Sequence, residues 1–126
     1  MVMTTKILFV CISHTLTEDQ KLGWSGITLV SDTLKKQTSQ VPATATLQEV
    51  KTLAASVVAE AATSGCTHIM CAGEPTLVLH VALIASAAGI IPVQSTTERV
   101  TVETQQPDGV VVKTATFKHV QWREML

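Results

Sequence analysis

Three short apolar runs recur along the chain, KILFVCI at 6–12, THIMCA at 67–72 and IIPVQ at 90–94. Between them stand segments whose apolar residues repeat every three or four positions. Runs of this length with polar flanks read as buried strands. The clearest separator covers Leu47 to Ser64. Thr46 and Glu49 have capping-box spacing, Leu47, Val50, Leu53, Ala54, Val57, Val58 and Ala61 recur at helical spacing, and Gly65 ends the run. A second helix is expected from Thr76 to Ala88, opened by Pro75 and closed by Gly89. It is apolar nearly all round, which predicts burial on more than one side, against the sheet and a neighbour such as a second subunit. Strands alternating with helices predict one α/β domain over residues 1–126, a three-layer fold around a mostly parallel sheet.

The remaining segments fit that frame. Thr17 and Gln20 form another capping box, predicting a short helix through Trp24. GITLV at 26–30 reads as a strand, and a short helix is expected near Thr33 to Thr38. Pro92 cannot donate to a central ladder, so it belongs at a strand start or a bulge. Arg99 to Gln105 and Val110 to Lys118 alternate around Gln106-Pro107-Asp108-Gly109, a turn signal for a C-terminal β-hairpin.

Composition narrows the function classes. Hydrophobic residues make up 46% and charged ones 15% of the chain, and the net charge is −1, values of a folded domain without a basic face. Phosphate neutralisation supplies most of the affinity for long DNA or RNA, so no long nucleic acid is expected as partner. Two Phe, two Trp and no Tyr leave little for stacking bases along a strand. Basic residues gather only near the end, at Lys113, Lys118, His119 and Arg123. A small anionic ligand remains. The three cysteines, Cys11, Cys66 and Cys71, lack C-x-x-C spacing and read as buried thiols, with no metal site and no cofactor expected. The apolar run 77–91 is interrupted by His80, Ser86 and Gly89, so a buried helix and no membrane contact are expected. The N-terminal residues enter a strand without a basic leader, which predicts a cytoplasmic protein.

Ligands of open parallel sheets bind at the carboxyl ends of the strands. Three polar stretches are expected there: Ser13-His14-Thr15, Gly73-Glu74-Pro75 and Ser95-Thr96-Thr97, the last followed by Arg99. Hydroxyls, backbone N–H groups at helix starts and an arginine capable of two parallel hydrogen bonds together describe an anion site. Plainer readings stay open for each member. Ser95 to Thr97 also suit a turn, His14 a helix cap, Arg99 a pair with Glu98 or Glu103, and Glu74 the positive end of a helix. His68 and His80 read as structural. No G-x-G-x-x-G, Walker lysine, G-x-S-x-G elbow or metal-spaced histidine pair is present.

In their order along the chain, SHTLTEDQ after the first strand, SQVP before the long helix, and GIIPVQSTTERV then FKHVQWRE at the end resemble the small stand-alone ring nucleases of CRISPR loci, relatives of the CARF sensor domain. The resemblance runs from Ile7 to Glu124. It implies a Rossmann-like, CARF-like fold and a homodimer that binds a cyclic oligoadenylate second messenger, usually the four-membered ring, across its two-fold axis. It further implies metal-independent cleavage, in which a ribose 2′-OH attacks its own 3′ phosphate and leaves a 2′,3′-cyclic phosphate. Carried onto this chain, the resemblance makes His14 the candidate for proton transfer and Arg99 the candidate for transition-state charge. Ser13, Thr15, Gly73, Glu74, Ser95, Thr96 and Thr97 become candidate ring contacts, with Lys118 and His119 a second basic group. The family pattern has an aspartate and an aromatic where this chain has Gly73-Glu74-Pro75, and often an aromatic at the place of Gln94. Two other readings compete: a sensor or sponge that binds the ring without cutting it, and an unrelated protein whose apolar helix drives assembly.

Overall fold

The computed structural model describes residues 5–126. In chain order the elements are β1 (Ile7–Cys11), α1 (Glu18–Lys21), β2 (Gly26–Leu29), α2 (Asp32–Ser39), α3 (Leu47–Thr63), β3 (His68–Cys71), α4 (Pro75–Ala87), β4 (Ile91–Gln105) and β5 (Val111–Glu124). The strands form one sheet in the order β2-β1-β3-β4-β5. β1 pairs in parallel with β2 and β3, β3 with β4, and β5 closes the edge antiparallel to β4. The architecture is therefore α/β, with a mostly parallel sheet and a C-terminal antiparallel pair.

Local chemistry explains where the helices start. Thr17 and Thr46 each complete a capping box, with Gln20 and Glu49 respectively. Ser31 caps α2. Such caps contribute about 1 kcal/mol each. Glu74 caps α4, with Pro75 in the first turn, where a missing N–H costs nothing. Gly109 holds φ at +86° in the hairpin turn, where Gln106 N donates to Val110 O at 2.8 Å.

Alternation along the strands sorts side chains onto two unlike faces. On one, Phe9, Cys11, Ile69 and Cys71 meet the buried faces of α3 and α4. On the other, Leu8, Val10, Ile12, Leu16, Met70 and Val93 form a smaller core closed by Trp24 and Trp122. The expected third layer is thin. Among the described residues the only helix over this second face is α1, with four residues, and it ends at Lys21 instead of continuing to Trp24. Gly23, at φ +85°, turns the chain there, and Trp24 packs edge-on against Trp122 at 5.6 Å between ring centroids.

α4 buries Leu77, Val81, Ala82 and Ala85 and leaves Leu79 and Leu83 exposed on its outer side. One further expectation needs correcting. The fourth strand does not stop at Gln94. β5 offers pairing partners from Val93 to Gln105, so Ser95, Thr96 and Thr97 are strand residues and form no loop. Pro92 stands second in β4, at the strand start, and its carbonyl accepts from Met125 N at 2.9 Å. Beyond the body, β4 and β5 run on as an exposed two-stranded ribbon. At about 3.3 Å per residue, positions 95–105 carry it roughly 35 Å past the sheet. Among the described residues no helix is long and apolar enough to cross a membrane.

Candidate functional site

Because β1, β3 and β4 are parallel, their carboxyl ends share one edge. Cys11 stands opposite Cys71, and Ile69 opposite Pro92, which brings Gln94 level with Cys71. Gln94 Nε2 donates to the Cys71 carbonyl at 2.6 Å and fixes that level. The two thiols are buried side by side directly beneath the edge. Hydrogen bonding between them and burial push Cys71 far above the usual thiol range; the same bond lowers Cys11 to about 7.

The strand order changes direction between β1 and β3, and the loops there enclose a cavity of about 200 Å³. Ser13, Gly73 and Glu74 line it together with Thr38 and Gln40. Gly73 has φ +136°, a backbone state that disfavours any side chain, and a Cβ would lie 3.8 Å from the Thr38 carbonyl. Glu74 turns its carboxylate onto the start of α4, accepting from Thr76 N at 3.0 Å and Leu77 N at 2.8 Å. Those backbone bonds hold its carboxyl below the usual range. Two N–H groups expected to receive an anion are thus occupied by the chain's own carboxylate.

His14 and Thr15 line a neighbouring cavity of about 460 Å³ over the ends of β1 and β2. Its floor is apolar, with Val10, Ile12 and Ile27; its rim carries Lys21, Lys35 and Asp32. His14 is exposed, with Nδ1 3.4 Å from the Thr15 carbonyl. A larger cavity of about 790 Å³ lies between α2 and α3, and Lys36 and Glu49 are its only charged lining groups among the described residues.

At the base of the ribbon a hydrogen-bonded network joins three side chains. Ser95 Oγ lies 2.5 Å from His119 Nδ1 and accepts from Gln20 Nε2 at 3.2 Å. Trp122 Nε1 donates to the backbone carbonyl of Gln20 at 3.1 Å. The register shifts by one residue between Thr96 and Thr97, so that Thr96 faces Gln121 and Thr97 faces His119. This bulge turns His119 to the same face as Trp122, and their ring centroids stand 5.5 Å apart. Thr96 Oγ1 is engaged in the ribbon, donating to the Gln121 carbonyl at 3.1 Å.

The expected single site therefore resolves into three groups along one edge. Ser13, Gly73 and Glu74 share a cavity, His14 and Thr15 share the next, and Ser95 pairs with His119. Thr97, Arg99 and Lys118 are exposed on the ribbon, Arg99 opposite Phe117 and Lys118 opposite Glu98. Glu103 pairs with Lys113 at 3.4 Å, and no carboxylate lies within 4.0 Å of Arg99 among the described residues. His68 is tied to Thr67 Oγ1 at 2.7 Å and packs on Trp24, and burial lowers its pKa. His80 is half-buried on α4. Sequence reasoning missed Gln20 and Trp122. One signal was available for the first: glutamate would complete a capping box equally well, but only glutamine keeps a donor free for another partner.

Residues 6–123 match the profile of the uncharacterized protein MJ1673 family, and the chain belongs to that family. No curated protein and no solved structure gives a significant match.

Proposed function

We propose that this chain is a ring nuclease that opens cyclic oligoadenylate, with cyclic tetra-adenylate as the first substrate to test. In this reading it is a cytoplasmic homodimer with a CARF-like, Rossmann-like fold that switches off type III CRISPR signalling. One observation carries the proposal. The segments that resemble the ring nucleases, SHTLTEDQ, GIIPVQSTTERV and FKHVQWRE, supply Ser13, His14, Ser95 and His119, and all four stand at the carboxyl edge of the sheet or the ribbon base beside it.

The chemistry needs positioning more than an external reagent. The ribose O2′ bonds to the adjacent phosphorus as the P–O5′ bond breaks, giving a 2′,3′-cyclic phosphate and a free 5′-hydroxyl. The proton leaving O2′ must be accepted and one must reach O5′, with negative charge growing on the phosphoryl oxygens. His14, solvent-facing beside a cavity of about 460 Å³, suits the proton transfer. Arg99, without a carboxylate partner, is available for the charge. Two-fold symmetry would present a ring of four with matching half-sites.

The test is to incubate the purified chain with cyclic tetra-adenylate in EDTA and resolve products by chromatography and mass spectrometry. Linear adenylates ending in a 2′,3′-cyclic phosphate are expected. Replacing His14 or Arg99 by Ala should slow their appearance about a hundredfold or more, the usual loss for one transition-state donor. An unchanged rate in both variants would remove these roles.

A second reading has its own observation. Glu74 places a carboxylate on the α4 N-terminus, where an anion would otherwise be welcomed. With those two donors engaged, fewer remain to stabilise charge growing on a phosphoryl group, which favours a sensor or sponge that holds the ring intact.

A further inference from the structure

The network at the ribbon base determines more than position. Thr17 N donates to Gln20 Oε1 at 2.8 Å as half of the α1 capping box. That bond orients the amide, so Nε2, the donor end, is the one that faces Ser95 at 3.2 Å. Ser95 Oγ receives this hydrogen bond on one of its two lone pairs and is free to turn its own proton towards its remaining close partner, His119 Nδ1 at 2.5 Å. A neutral imidazole that accepts at Nδ1 carries its proton at Nε2. The charged imidazolium carries one there as well. With Ser95 donating to the neutral ring, Nε2–H is a donor in either charge state. Among the described residues Nε2 has no protein partner, and it is not a buried unsatisfied atom, since only Trp24 Nε1 has that status. It therefore opens towards solvent, while Trp122 at 5.5 Å and Ser95 hold the ring in place.

We infer that His119, fixed by the relay Thr17–Gln20–Ser95, is a permanent hydrogen-bond donor to a non-bridging phosphoryl oxygen of the ligand, and neither a base nor an acid. The inference rests on the cyclic-oligoadenylate reading of the site. It separates two histidines by role: His14 moves protons, and His119 stabilises charge without releasing one. Gln20 and Ser95 are positioning residues that act through His119.

Two readouts test it on the full chain. The first is long-range proton–nitrogen NMR of the imidazoles in the free protein, with His119 assigned by comparison with His119→Gln. The neutral ring of His119 should carry its proton at Nε2, and Ser95→Ala should release it to a mixture of tautomers. A proton at Nδ1 in the unaltered chain overturns the relay, whatever the activity. The second is cleavage of cyclic tetra-adenylate across pH. His119→Ala should lose about a hundredfold or more, while His119→Gln, which offers an amide N–H at similar reach, should retain activity within about tenfold with an unshifted pH profile. Equal losses in both variants, or none in either, overturn the donor role. Should the unaltered chain leave the ring intact, the nuclease reading has failed and a titration with intact ring decides the donor role. A shift of the His119 Nε2 proton on binding supports it, and no shift or no binding overturns it.

Discussion

Glu74 shows how one side chain can serve the fold and oppose the proposed ligand. Its carboxylate accepts two backbone N–H bonds at the start of α4, which lowers its pKa. The unfolded chain, with an ordinary carboxyl, takes up its proton at higher pH than the folded one. The stability contributed is therefore complete above the ordinary carboxylate value of about 4.3 and is lost as pH falls through the lowered value. Thermal melts of Glu74→Gln against the unaltered chain should differ at neutral pH and converge in acid. A gap of constant size at all pH values would mean that charge at this cap contributes nothing. The same substitution removes the negative charge from the cavity shared with Ser13 and Gly73. In the proposed nuclease it should tighten binding of the ring, measurable by titration calorimetry.

At the scale of elements, α3 was readable before any coordinates, because its cap, its apolar period and Gly65 are all local signals. The ribbon was only half readable. Val110 to Lys118 alternated and Gly109 marked the turn, but Ser95, Thr96 and Thr97 suit a turn and an exposed strand equally. Their conformation is decided by partners supplied from residues 119–122, which local pattern cannot reveal. The network through Gln20 is longer in range still, with Trp122 reaching back over 102 positions. The candidate site residues are legible by type and the shared edge by topology; how those candidates group is not. Past the bulge the ribbon adds nothing to either core, and its apolar side chains are exposed, Phe117 at 72% among them. Glu98 and Lys118 face each other in register, so a two-residue Asn-Gly turn can replace residues 99–117. In the proposed nuclease the trimmed chain should keep its body folded, by circular dichroism, and lose cleavage, since Arg99 is gone. A trimmed chain that is unfolded at room temperature would show that the body depends on the ribbon.

For the whole molecule, one face of the sheet is well covered by α3 and α4 and the other, among the described residues, only by α1 and two tryptophans. A two-stranded ribbon is at best marginal alone in water, and Leu79 and Leu83 add a second exposed apolar stripe on α4. Both features suit the proposed homodimer. Light scattering should give twice the mass of one chain for the full protein; a single-chain mass at all concentrations would remove the two-fold half-sites from the account. The most direct measurement sets cyclic tetra-adenylate beside its 2′-deoxy counterpart, both in EDTA with the purified chain, and follows products by mass spectrometry. The account predicts that the ribose ring is opened to linear adenylates ending in a 2′,3′-cyclic phosphate, while the deoxy ring stays whole. A ribose ring that stays whole, or a deoxy ring that is cut, would contradict it.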